Sequence, residues 1–133
     1  MTLATSDRLD ILELVAKADA AASDRDADAY VALFTVDAVL DGGMGRHDGR
    51  EAMRAAVGPI WEAEGPASTH LTLNAIVHPR ESDPSQAVVT SVLVILRASP
   101  PPSIHSVAQI SQDVVKLDGS WRIERRSVQL AAG

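Results

Sequence analysis

The residue best suited to chemistry is His70. Side chains alternate along the segment Thr69–Val77, so His70, Thr72, Asn74 and Ile76 share one face. Leu71, Leu73, Ala75 and Val77 share the other. A polar row in an otherwise apolar strand reads in two ways. It is a hydrogen-bonding wall inside a cavity, or a row facing water in which His70 is structural and bonded to Asn74. Asp19 is the second catalytic candidate. It lies on the stripe Leu12–Val15–Asp19–Ala22, where burial would raise a carboxyl pKa and make it a base near neutral pH. The competing reading is a surface aspartate, solvated or paired with Arg25. Tyr30 can point its hydroxyl inward or serve as a packing residue with that hydroxyl at the surface. Arg125 shares a strand face with Trp121 and Ile123, whereas Arg126 shares the other with Arg122 and Glu124. One of them could hold an anionic or carbonyl group of a ligand at a pocket rim, or both could serve ion pairs at a surface or interface. His47, His78 and His105 show no metal-ligand spacing, and no phosphate loop or nucleophile elbow is present. No metal and no other cofactor is expected.

The elements that must position these residues change character along the chain. Ser6 or Asp7 is placed to cap a first helix carrying Leu9, Leu12, Val15, Ala16 and Ala22 at helical spacing. A short helix with Tyr30, Val31, Leu33 and Phe34 follows, then a weakly alternating strand Val36–Asp41 ending at Gly42-Gly43. Asp48 with Glu51 has capping-box spacing for a third helix. Met53, Val57, Ile60 and Trp61 form its apolar stripe, and Gly58-Pro59 should kink or divide it. From Ser68 onward the period is two. The strands predicted are Thr69–Val77, Ala87–Arg97, Ile104–Leu117 and Trp121–Leu130, with a two-residue hairpin at Asp118-Gly119. Helices followed by a meander of long strands predict an α+β fold. It is a cone-shaped, curved antiparallel sheet with the N-terminal helices packed on its concave face. The open end of such a cone is a pocket, with Met53 and Trp61 either lining it or filling it.

Composition narrows the function. The 133 residues suit one domain, 1–133, and 46% belong to the apolar and aromatic set. The net charge of −6 is spread along the chain and opposes binding to nucleic acid. There is no cysteine, which removes disulfides and thiolate chemistry. No basic start with a long apolar stretch is visible, and the longest apolar run is Val92–Leu96, so a cytoplasmic protein without membrane contact is expected.

Four segments carry a family resemblance. They are Asp24-Arg25-Asp26-Ala27-Asp28 with Leu33-Phe34-Thr35-Val36-Asp37-Ala38; Gly49-Arg50-Glu51-Ala52-Met53; Thr69-His70-Leu71-Thr72-Leu73-Asn74; and Asp118-Gly119-Ser120-Trp121-Arg122-Ile123 with Arg125-Arg126. In this order and spacing the chain resembles the SnoaL-like family of the nuclear transport factor 2-like superfamily. Its relatives include scytalone dehydratase, bile-acid dehydratases and the β subunits of ring-hydroxylating dioxygenases. The resemblance implies that His70 lines the pocket and acts as acid/base or orients the substrate, with Asn74 beside it. It also places Ser23 where the family carries a helix aspartate, and serine cannot by itself remove a proton from carbon. A further acidic position of the family, on the penultimate strand, falls on Gln112. Asp113 is adjacent and faces the other way unless a bulge intervenes. The expected ligand is a small, oxygenated ring compound, and the expected activity, if any, is of the lyase or isomerase type. The alternative is a non-catalytic accessory or dimerisation subunit like the dioxygenase β subunits. A homodimer joined sheet to sheet is expected in either case.

Overall fold

The computed structural model describes every residue except Met1, Met44, Ala132 and Gly133. Two helices open the chain, α1 (Thr5–Ser23) and α2 (Ala27–Val31). Strands β1 (Phe34–Gly42) and β2 (Gly45–Asp48) precede α3 (Arg50–Ala63). Four longer strands complete it: β3 (Ser68–Pro79), β4 (Gln86–Arg97), β5 (Ser103–Leu117) and β6 (Ser120–Leu130). One curved, unclosed sheet runs in the order β2-β1-β6-β5-β4-β3. It is mixed rather than wholly antiparallel, because β1 lies parallel to β6. Everything between those two strands, from β2 and α3 through β5, forms the long connection that a parallel neighbour requires.

Helix α1 buries Ile11, Leu14, Val15, Ala18, Asp19, Ala21 and Ala22, a stripe with the 3.6-residue period. This corrects the expected stripe by a fraction of a turn, since Leu9 and Leu12 face solvent. The cap is also corrected. Thr5 starts the helix after Ala4, with no side-chain cap. Asp7 is used in tertiary contact instead, accepting from Trp121 Nε1 and Lys116 Nζ, each at 3.0 Å. Those two bonds, Trp121's first, hold its carboxyl below the usual carboxylate range. At the other end of α1, Arg25 adopts a left-handed backbone, φ 59°, and Asp26 caps α2 by accepting from Ala29 N at 3.0 Å.

Helix α3 begins after Gly49, φ 87°, which has no side chain to cap with, while Asp48 ends β2. Phe34 belongs to β1 rather than to α2. Pro59 does not divide α3. Its missing N–H removes one ladder bond, but Met53, Val57 and Trp61 are buried on both sides of it, and that packing holds the helix together.

The four meander strands match expectation to within two residues at each end. Asp118 and Gly119 both have positive φ, 50° and 80°, as a tight hairpin of this kind requires. Three bulges break the two-residue period of these strands, however, one of them in β5, where Ile95 and Leu96 of β4 pair with Ser106 and Ile104 and leave His105 as the extra residue. In β3 the register slips between Leu73 and Ile76, with Asn74 at φ 54°. In β6 the slip lies opposite Asp113/Val114 and leaves Glu124 as the extra residue. Each bulge reverses which alternate residues face the concave side.

Candidate functional site

The concave side of the sheet, α2 and α3 enclose a cavity of about 230 Å³. Its walls are mainly apolar: Leu93 and Ile95 of β4, Ala108 of β5, Val128 and Leu130 of β6, and Val57, Ile60 and Trp61 of α3. Tyr30 of α2 packs edge-on against Trp61, with ring centres 5.2 Å apart. Set among these are polar residues from several elements: Asp41 of β1, His47 of β2, Glu64 just past α3, His70 of β3, His105 and Ser106 of β5, and Arg126 of β6.

His70 and Glu64 form a buried pair. His70 Nε2 lies 2.7 Å from Glu64 Oε1, and both side chains are almost wholly buried. Arg25 Nη1 reaches the same Glu64 oxygen at 3.4 Å, and its Nη2 donates to Gly65 O at 2.5 Å and Ser68 Oγ at 2.6 Å. The strained turn at Arg25 therefore anchors the segment that carries Glu64. The other ring nitrogen of His70, Nδ1, is buried without a partner.

A second buried cluster closes the floor. Arg126 donates to Asp19 Oδ1 at 2.8 Å and to Gln112 Oε1 at 3.3 Å, and the second oxygen of Asp19 accepts from Thr72 Oγ1. Arg126 and Asp19 are both nearly inaccessible. Burial opposes the charge on Arg126, but Tyr30 and Asp19 beside it outweigh that and raise its pKa. Tyr30 moves upward too: burial dominates, Arg126 pulls the other way, and Asp19 adds to the rise. The phenol therefore stays protonated at neutral pH.

The residues singled out from sequence separate into two groups. His70, Tyr30 and Trp61 line the cavity. Met53 is fully buried but belongs to the core outside the cavity wall. Asp19 is buried as expected, yet its partners are Arg126 and Thr72, not Arg25, and it does not line the cavity. It is the counter-ion of Arg126 rather than a free base. Ser23 acts as a tether: its Oγ accepts from His70 N at 2.8 Å and from Thr69 Oγ1 at 3.2 Å, and donates to Asp19 O at 3.0 Å. Gln112 is inaccessible and holds Arg126 from below, while Asp113 faces outward to Arg80 at 3.4 Å.

Two expectations fail at the bulges. Asn74 is exposed, because the left-handed turn at that residue takes it off the face of His70 and Thr72. Arg125 points to the outer face, 2.7 Å from Asp41 Oδ2, and Arg126 takes the inner position. Glu64 escaped the sequence reading altogether. The available signal was its spacing, since Val57, Trp61 and Glu64 recur at helical intervals on one face.

Among the described residues, no group of three or more His, Asp or Glu is placed to hold a metal ion, and no helix is long and apolar enough to cross a membrane.

The model of the SnoaL-like domain family matches residues 4–127. No curated protein matches the chain. Among solved structures, a protein of unknown function with a cystatin-like fold from Nostoc punctiforme superposes with a TM-score of 0.91 at 24% identity, covering 100% of this chain and 97% of its own. A nuclear transport factor 2-like protein with a cystatin-like fold from Novosphingobium aromaticivorans gives 0.82 at 25% identity, over 96% of this chain and 84% of its own. A protein from the same organism, provisionally named a scytalone dehydratase, gives 0.80 at 19% identity, over 96% and 85%. At such identities the likeness of the first and third speaks for the fold alone.

Proposed function

Because this chain belongs to the SnoaL-like domain family, we propose that its cavity binds a small, largely apolar ring compound and that the Glu64–His70 pair supplies acid/base chemistry of the lyase or isomerase type. The observation that carries this reading is the 2.7 Å contact between His70 Nε2 and Glu64 Oε1, with Nδ1 of the same ring left buried and unpaired. An ionised carboxylate only accepts, so Nε2 carries the hydrogen and the lone pair of the neutral ring sits on Nδ1. That lone pair is the base. Glu64 fixes the tautomer and stabilises the imidazolium once the proton arrives, the part an orienting carboxylate plays beside a catalytic histidine.

Charge balance favours a neutral ligand. Asp19 is matched by Arg126 and Glu64 by Arg25, so the enclosed site is uncharged while His70 is neutral. Taking a proton from carbon next to a ligand carbonyl sends the electron pair to the carbonyl oxygen and places a positive charge on His70. The resulting enolate and imidazolium attract each other more strongly in a largely apolar cavity than in water. The protonated phenol of Tyr30, in the same wall, is the donor for the developing oxyanion. Return of the proton at another carbon is isomerisation; loss of a β-hydroxyl, protonated by His70, is dehydration. The acid of this proposal comes from the end of α3, not from α1 as the family resemblance suggested.

The reading is tested with ring ketones in deuterated buffer. Wild type should be stabilised against heat by those that bind, and should exchange their α-hydrogens for deuterium. His70→Gln and Glu64→Gln should slow exchange by about 100-fold or more while leaving the chain folded. Stabilisation without exchange would leave a binding protein and remove the catalytic part. Absence of both would favour an accessory or dimerisation role. For that role the outward face of the sheet offers Leu71 and Leu73 of β3 beside Val107 of β5, all partly exposed. We propose a homodimer through this face, which sedimentation of wild type and Leu73→Lys would check: the variant should sediment as a monomer.

A further inference from the structure

The two edges of the sheet meet around one cavity. Strand β2 forms one edge and β3 the other, yet His47 of β2 and His70 of β3 line the same space of about 230 Å³. The curl of the sheet brings them there. Each ring has one buried nitrogen with no hydrogen-bond partner, Nε2 in His47 and Nδ1 in His70. Among the described residues, Gln112 Nε2 is the one other buried side-chain polar atom in that state, and Gln112 lies outside the cavity wall. Unpaired buried polar atoms are unfavourable and uncommon in native proteins. Two of them, on rings that line one largely apolar cavity from opposite edges of the sheet, mark the side chains that gain most by turning toward a ligand that supplies the missing partners.

We propose that His47 is a specificity-determining residue of this site, holding a second oxygen of the ligand whose first oxygen engages His70. This rests on the reading of the cavity as a ring-compound site. Size narrows the ligand further. An apolar cavity of about 150 Å³ holds benzene, and this one is half as large again. It has room for one ring or two fused rings. The ligand class is thus a neutral one- or two-ring compound with an oxygen function at each end.

Calorimetric titration of the full chain with naphthalene, a naphthol and a set of dihydroxynaphthalene isomers tests this, using wild type, His47→Leu and His47→Gln. The best-fitting diol should bind wild type about tenfold more tightly than the naphthol, the scale of one buried hydrogen bond. In His47→Leu the two should bind alike. His47→Gln, which keeps a donor and an acceptor, should recover part of the difference. The ring nitrogen resonances of His47 in wild type should shift with the diol and not with the naphthol, a readout that does not depend on any variant folding. A diol advantage that persists in His47→Leu, or unshifted His47 resonances, would overturn the assignment while naphthol binding kept the cavity reading intact. Failure of every one of these compounds to bind wild type would overturn both.

Discussion

Arg125 and Arg126 are neighbours on β6, and the fold treats them as opposites. Arg125 stands on the outer face, 2.7 Å from Asp41, with both side chains 39% exposed. Arg126 stands on the inner face, 2.8 Å from Asp19, and neither side chain is more than 5% exposed. The two ion pairs have nearly the same length, but water decides their energetics. An exposed pair gains little, because solvent screens its attraction and two long side chains must be ordered to make it. A buried pair is held by the cost of leaving either member alone, although the pair itself adds little over well-packed apolar residues. Arg126 and Asp19 therefore matter to stability through what their separation would leave behind. Arg126 also lines the cavity, with Asp19 behind it.

The largest effect that follows is from Arg126→Met. It leaves Asp19 buried without its counter-ion and should lower stability by about 3–5 kcal/mol, read from urea unfolding. Adding Asp19→Leu in the same chain should return most of that loss, since no charge is then stranded; a double variant as weak as the single would break the comparison. Next comes the pH dependence of the inner side. Burial raises the pKa of Tyr30, so its contribution to stability is complete below its ordinary value near 10 and is lost as pH climbs through the raised one. Tyr30→Phe should flatten the alkaline fall in unfolding free energy, and an unchanged alkaline limb would show that the phenol does not titrate in this way. The smallest effect belongs to the outer pair. Arg125→Ala should change stability by no more than about 1 kcal/mol, and that difference should shrink in high salt. A larger, salt-insensitive loss would erase the distinction between the two faces.

Much of the fold was legible because it depends on periodicity. The positions of the strands, the hairpin at Asp118-Gly119 and the polar row begun by His70 and Thr72 all rest on alternation and turn chemistry, which neighbouring residues determine. What was not legible lies at the bulges in β3 and β6. A single extra residue reverses a strand's faces, and nothing in the local pattern announces it. The bulge at Glu124 sends Arg125 out and Arg126 in; the one at Asn74 takes that side chain off the face of His70. The helix stripe showed the same kind of error on a smaller scale, with Leu9 and Leu12 exposed and Ile11 and Leu14 buried.

The sequence by itself determined the order of the helices and of the strands other than β2, the SnoaL-like family and the face that His70 shares with Thr72, because these follow from local propensity and short-range spacing. Tertiary structure alone decided the partners. Glu64 reaches His70 because α3 ends beside β3, Asp19 meets Arg126 across 107 positions of chain, and His47 joins the cavity because the sheet curls its two edges toward each other. Contacts of this kind depend on the path of the backbone through space, to which residue spacing gives no direct access.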